Sequence, residues 1–262
     1  MSVLKFSGRR AVVTGGNRGM GRGIATALAE GGAEVCIVAR DENALAETRR
    51  DIESRGATCH SISADLATID GAERAAAEVR SIDVSWDMLV NCAGSPPGPH
   101  LLEMDLDYWE RTFGVHCRAP FILARALVPA MIERGNGSIL NISSVASLLA
   151  CWGHGAYSSA KVGLNMLTRT MALEWGRHGV RANAICPTAV MTEMGREVWT
   201  SHPVQAEWLR AKIPAGRLGE VKDVVGLAMF LLDPENTFIN GTVIPCDGGL
   251  LAGLADGPPT GD

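Results

Sequence analysis

The chain has 262 residues, 47% of them hydrophobic, a net charge of −5 and no long basic run. That is apolar material for one sizeable core, and one α/β domain suits it better than two small ones. The acidic balance gives no electrostatic footprint for nucleic acid. No apolar run approaches the ~18 residues of a membrane span, and the N-terminus has no signal-peptide apolar region. The seven cysteines are odd in number and lack C-x-x-C spacing, and the six histidines form no H-x-x-x-H pair. A cytoplasmic protein with mostly buried thiols and no metal site is expected.

Residues 10–14 read as a short apolar strand. The glycine-rich run Gly15-Gly16-Asn17-Arg18-Gly19-Met20-Gly21 follows, and then a helical pattern that ends at Gly31-Gly32. Strand, glycine turn and helix form the context of a phosphate-binding loop: glycines let the backbone N–H groups approach a pyrophosphate at a helix N-terminus. Gly15, Asn17, Arg18, Gly19 and Met20 are therefore candidate cofactor contacts. The spacing is G-x-x-x-G-x-G, unlike the general dinucleotide fingerprint G-x-G-x-x-G.

Residues 34–39 form a second strand. An acid at its end would hold an adenosine ribose hydroxyl, whereas an arginine would accept a 2′-phosphate. The chain has Ala39 and then Arg40, with Arg18 nearby in the loop, and two guanidiniums that can converge on one phosphate predict NADP(H) over NAD(H).

The order then alternates. Helical patterns cover 41–55 and 70–80, and strands 58–63 and 88–91. A mostly helical stretch, 106–134, is expected to bend at Pro120 and close near Pro129. Strands at 138–142 and 180–185 flank a helix running to about residue 178. An irregular, partly helical insertion covers 188–215, a helix 221–232 and a last strand 242–245. Repeated βα units predict a single Rossmann-type α/β domain over 1–252: a doubly wound parallel sheet of about seven strands with helices on both faces and ligands at the strands' carboxyl ends. The tail, 253–262, is expected to be disordered.

Tyr157 and Lys161 lie four residues apart at the start of the penultimate long helix, on one helical face. A free phenol has a pKa near ~10 and shuttles protons poorly at neutral pH. A positive charge within about 4–6 Å favours the phenolate. The pair is thus expected to act as a proton donor whose pKa the lysine lowers.

With these residues in view, the chain resembles the short-chain dehydrogenases/reductases over nearly its whole length. Thr14-Gly15-x-x-x-Gly19-x-Gly21 is similar to that family's cofactor loop. Asp65-Leu66 matches its adenine-binding pair, and Asn91-Cys92-Ala93-Gly94 its Asn-Asn-Ala-Gly turn. Ser144, thirteen residues before Tyr157, matches the catalytic serine, and Tyr157-x-x-x-Lys161 the catalytic helix. The resemblance implies that Tyr157 protonates a developing alkoxide, that Ser144 hydrogen-bonds the same oxygen, and that Lys161 holds the nicotinamide ribose. It also implies cofactor contacts from Asp65, Leu66, Asn91 and Ala93. Ser143 is an alternative hydroxyl, but adjacent strand residues point to opposite faces and the family spacing selects Ser144. The fourth catalytic position, normally asparagine, is His116 here, either a tolerated substitution or a proton relay.

From about 180 to 250 the chain is similar to the xylulose reductases and polyol dehydrogenases of that family, through Cys186-Pro187-Thr188, Ile213-Pro214-x-Gly216 and Glu220-Val221. On this likeness Val190 and Thr192 would meet the nicotinamide carboxamide. The segment between Ser144 and Tyr157 is expected to line the substrate pocket, with Ser147 and His154 as its evident polar groups. His154, Trp152 and Trp199 are the candidate substrate contacts. The expected activity is NADPH-dependent reduction of a small dicarbonyl, ketose or related ketone. The apolar run 148–152 keeps a 3-oxoacyl-thioester or other apolar-ketone reductase open, and His116 a non-catalytic NADP(H)-binding sensor. A small-molecule carbonyl or alcohol substrate and a homotetramer, with neither nucleic acid nor membrane as partner, complete the expectation.

Overall fold

The computed structural model describes residues 4–82 and 85–253; the expected tail lies, apart from Gly253, outside them. Seven strands form one sheet: β1 Arg10–Thr14, β2 Glu34–Ala39, β3 Cys59–Ser63, β4 Met88–Asn91, β5 Gly137–Ile142, β6 Val180–Pro187 and β7 Val243–Cys246. Their order is β3-β2-β1-β4-β5-β6-β7, and every pairing is parallel. The order reverses between β1 and β4, and a crevice opens at such a switch point.

Strand alternation divides the core between the two faces. Val13, Val35 and Ile37 pack with Ile24 and Leu28 of α1 (Gly19–Glu30), Ile52 of α2 (Glu42–Ser54) and Leu231 of α9 (Val221–Leu232). Val12, Cys36 and Val38 face Val79 of α3 (Ile69–Ser81), Leu123 and Met131 of α5 (Ala119–Glu133) and Met171 of α6 (Gly155–Trp175). Three of the seven thiols are buried and four are half-buried.

Several helices start where a side chain satisfies a first-turn N–H group. Asp41 caps α2, Thr68 caps α3, and Asp105 caps α4 (Leu106–Phe113). Between β6 and β7 the insertion folds into α7 (Glu193–Ser201), capped by Thr192, and α8 (Pro203–Lys212).

The stretch from α4 to α5 departs from expectation in two ways. Helix continues through Pro129, and no closure occurs there. Leu127, Val128 and Met131 are buried on either side of the proline, and this burial offsets the one hydrogen bond that proline withholds. The irregularity precedes Pro120 as a π-helical turn, Gly114–Arg118, with the Ala119 N–H bonded to the Gly114 carbonyl. Pro120 has no N–H to give the His116 carbonyl four residues back, so the ladder widens. By length and composition the continuous helix Leu106–Glu133 could cross a membrane, contrary to the sequence reading; in the fold, half of its most apolar stretch is buried and α5 packs against α3.

Candidate active site

The carboxyl ends of the strands open into a cleft of about 1080 Å3. Its walls bring together Gly15, Asn17, Arg18, Gly19 and Met20 from the glycine loop, Arg40, Asp65, Leu66, Ala93, Tyr157, Lys161, Val190 and Thr192. Two glycines are sterically obligatory. Gly15 has φ +65°, and a Cβ there would lie 2.9 Å from the Ala93 Cα; a Cβ on Gly21 would meet the Gly15 carbonyl oxygen at 2.1 Å. The loop is thereby held against the β4 turn and opens α1 directly onto the cleft.

The residues fit a dinucleotide bearing a 2′-phosphate. α1 has no side-chain cap and no acid in its first turn, so its N-terminus is free to receive an anion. Arg18 and Arg40 are both exposed on the cleft wall, and Ala39 puts no carboxylate at the end of β2. Arg18 Nη2 does bind Asp41 Oδ2 at 2.8 Å, but both side chains are nearly half exposed. A surface pair of this kind contributes at most about 1 kcal/mol, a weak competitor for a phosphate dianion. Asp65 is oriented by Arg111 Nη2 at 2.9 Å and by the Ala67 N–H at 3.1 Å.

Asn91 does not meet the expectation of a cofactor contact. Its side chain is buried and turns into the sheet, donating to Asn141 Oδ1 at 2.8 Å, and Asn141 Nδ2 donates to Thr168 Oγ1 at 2.8 Å. It ties β4 to β5 and α6. Thr192 keeps its place on the wall, but its Oγ1 accepts the Gly195 N–H at 3.0 Å, which leaves it the hydroxyl proton to donate.

At the other end of the cleft, Tyr157 and Lys161 come off the first turns of α6. Lys161 is buried and donates from Nζ to the Ile142 carbonyl at 2.6 Å, with Nζ 5.7 Å from the Tyr157 ring centroid. Burial lowers its pKa to about 8. Burial also raises the Tyr157 phenol above its ordinary value, and the main opposing influence is the hydrogen bond with Ser144. The expected downward pull of the lysine on the phenol is not what the cleft shows. The low-polarity surroundings disfavour both charged forms.

Ser144 and Ser143 have different partners, and of the two Ser143, not Ser144, is among the residues lining the cleft. Ser144 Oγ accepts the Ala146 N–H at 3.1 Å, leaving its own proton for Tyr157 or a substrate oxygen. Ser143 borders the cleft but directs its hydroxyl to Ser147 Oγ at 3.2 Å.

His116 stands edge-on to Tyr157, ring centroids 5.0 Å apart, and is 2% exposed. Its Nε2 accepts the Ser95 N–H at 3.2 Å, so the proton sits on Nδ1, which has no partner. Burial and then the Lys161 charge push its pKa well below 6.5. It is a neutral imidazole.

The segment between Ser144 and Tyr157 does not line the cleft. Trp152 is 89% exposed and lies edge-on to His100 at 5.4 Å. Leu148 and Leu149 face solvent in part. Ser147 turns inward. His154 is near Tyr157, 5.9 Å between ring centroids, with Nδ1 donating to the Trp152 carbonyl at 2.7 Å, but it is not on the cleft wall. Trp199 of α7 is. The sequence reading gave no role to the wall residues Ser95, Tyr108 and Glu193, and it took Thr14 only as part of the glycine-loop motif. The Thr14 Oγ1 accepts both the Cys92 and Ala93 N–H groups, at 3.0 and 3.1 Å. Thr14 closes β1 next to the glycine loop, and that position was its available signal.

A switch-point cleft with a glycine loop at one end and a hydroxyl pair beside a lysine at the other defines a nucleotide-dependent oxidoreductase of the α/β class. Residues 15–251 match the family described as Enoyl-(Acyl carrier protein) reductase. The chain is 38% identical over 252 residues to the L-xylulose reductase of Mesocricetus auratus, covering 95% of this chain and 98% of that one. It is 35% identical over 256 residues to the gluconate 5-dehydrogenase of Gluconobacter oxydans strain 621H, covering 96% and 98%. The solved gluconate 5-dehydrogenase from Burkholderia cenocepacia J2315, in complex with NADP and tartrate, has a TM-score of 0.89 and 33% identity, covering 96% of this chain and 98% of that chain. The chain belongs to the short-chain dehydrogenases/reductases.

Proposed function

We propose that this enzyme reduces a small polar ketone, a ketose or dicarbonyl, to the alcohol, with Tyr157 as proton donor. That it is an NADP(H)-dependent oxidoreductase acting on CH–OH and C=O groups follows from its family and relatives. When bound, NADPH supplies the hydride. The Tyr157 phenol, protonated at neutral pH as an ordinary phenol is and kept so by burial, gives its proton to the oxygen on which charge develops. Ser144 donates a hydrogen bond to that oxygen, and two aimed donors suffice for a single oxyanion. Lys161, fixed by the Ile142 carbonyl, holds the nicotinamide ribose, and His116 supports the site as a neutral ring.

The observation that carries the substrate class is the wall of the cleft. It includes Ser95, Tyr108, Glu193 and Trp199, groups suited to hydroxyls. The apolar run 148–152, the main support for an apolar-ketone or thioester substrate, points elsewhere. The names of the relatives, L-xylulose reductase and gluconate 5-dehydrogenase, lie within the same chemistry. His154 and Trp152 do not line the cleft, and of the three candidates Trp199 is left as the substrate contact. The test is turnover of NADPH on ketoses, diacetyl and a 3-oxoacyl thioester: the reading needs the first two groups to be preferred.

The homotetramer and the cytoplasmic location belong to the same proposal. Phe121, Val162, Met166 and Leu173 are exposed apolar side chains on α5 and α6, and pairing of these helices between subunits would cover them. Light scattering at micromolar concentration reads this directly; a monomer contradicts it.

A further inference from the structure

The hydroxyl of Ser147 has every hydrogen-bonding capacity filled. It donates to the Ser144 carbonyl at 2.5 Å and accepts from Asn165 Nδ2 at 2.7 Å and from Ser143 Oγ at 3.2 Å, and a hydroxyl has one proton and two lone pairs. The Cys186 thiol lies beside it at 3.5 Å. Asn165 is 4% exposed. It follows Lys161 by four residues and Tyr157 by eight, so the three share one face of α6. The short turn Val145–Ser147 after β5 is thereby pinned at its last residue to the helix that carries the phenol and the ammonium.

Ser144 receives both of its constraints from this turn: its Oγ from the Ala146 N–H and its carbonyl from Ser147. Where the Ser144 hydroxyl sits relative to Tyr157 is therefore set by how that turn is held against α6. Neither Asn165 nor Ser147 is among the residues lining the cleft, and Ser147 reaches the wall through Ser143. A bare packing role would not need a buried amide, its Oδ1 without a partner, whose Nδ2 donates a 2.7 Å hydrogen bond to a hydroxyl in the interior, where each unpaired polar atom is costly.

We propose that Ser147 and Asn165 are positioning residues that fix Ser144 against Tyr157 by tying the turn after β5 to the catalytic helix. The proposal rests on the carbonyl-reductase reading for its kinetic consequence, but its structural core can be read without turnover. The chain contains only two tyrosines, Tyr108 and Tyr157. Tyrosine labelled with the heavy carbon isotope at Cζ therefore gives two resonances, assigned by Tyr108→Phe, and the Cζ shift reports hydrogen bonding of each phenol.

The expected result with the full-length protein has three parts. Ser147→Ala moves the Tyr157 resonance and leaves Tyr108 in place. It lowers kcat roughly tenfold, on the scale of one misplaced hydrogen bond, with the dissociation constant for NADPH changed by less than about twofold. Ser147→Thr, which keeps the hydroxyl, restores both readouts. Asn165→Ala gives the same shift, and the double variant is no worse than either single one, because both act on one link. An unmoved Tyr157 resonance in Ser147→Ala overturns the proposal, even if the melting temperature falls, because the role is then packing alone. Equal losses in Ser147→Thr and Ser147→Ala overturn it as well. Absence of any carbonyl turnover by the wild-type protein would instead contradict the reductase reading, and the resonances would still decide the positioning role.

Discussion

Lys161 donates a 2.6 Å hydrogen bond to the carbonyl of Ile142 from a buried position on the cleft wall, and that burial costs stability. Its pKa is about 8 in the fold against an ordinary 10.5. The cost is fully present below about pH 8 and is relieved as pH rises toward 10.5, because there the unfolded chain holds a proton that the folded one has lost. The separation corresponds to about 3 kcal/mol. Removing the lysine leaves the Ile142 carbonyl unpaired, which costs about 1–3 kcal/mol in return.

Lys161→Met is therefore expected to abolish turnover yet to melt at a temperature equal to or a few degrees above the wild type at neutral pH. The margin shrinks as pH rises through 8 to 10. Thermal melts across that range check it. A variant much less stable at pH 7, or a pH-independent difference, would show that the ammonium stabilises the fold.

His116 gives a second pH signature, of the same direction but in a lower pH window. Its folded pKa is pushed down by burial and by Lys161, so the unfolded chain binds a proton near pH 6.5 that the folded one refuses. The stability from this group is full above about pH 6.5 and falls below it by about 1.4 kcal/mol per pH unit, until the folded pKa is reached. His116→Asn is expected to flatten the acid side of the melting profile while keeping kcat within about threefold. An acid limb in the wild-type rate near pH 6–7 that disappears in the variant would make His116 a proton relay instead.

Much of this was legible beforehand, because it is local. The seven strands, the glycine loop and the Tyr157–Lys161 helix announce themselves through periodicity, glycine placement and four-residue spacing. What was not legible depended on direction and on burial. Asn91 looked like a cofactor residue, but whether its amide faces the cleft or Asn141 is decided by a neighbouring strand. Trp152 and Ser147 lie in the same loop; one faces outward and the other inward, and no period governs a loop. Pro129 is read as a stop when only propensity counts, whereas the apolar face around it is what keeps the helix going. The charge of Lys161 is plain in the sequence. Its burial is not, and burial reversed the direction in which the Tyr157 pKa was expected to move.

Cofactor choice rests on Arg40 and Arg18 at the end of β2 and in the glycine loop. Arg40→Asp is expected to weaken NADPH relative to NADH by roughly tenfold to a hundredfold, the scale of a lost charge-assisted hydrogen bond made worse by a like charge. Because Arg18 shares its charge with Asp41, Arg18→Ala should have the smaller effect. Fluorescence titrations with both cofactors check the pair; an unchanged ratio in Arg40→Asp would place the phosphate elsewhere.

The most direct test of the central claim is the rate of NADPH oxidation by the purified protein with ketoses, diacetyl and a 3-oxoacyl thioester, alongside Tyr157→Phe. The expected result is turnover on a ketose or diacetyl, with kcat reduced about 10²–10⁴-fold in the variant while NADPH still binds. Turnover confined to the thioester would contradict the substrate class. Tight NADPH binding with no turnover of any carbonyl, or a Tyr157→Phe enzyme as fast as wild type, would contradict the account of the site itself.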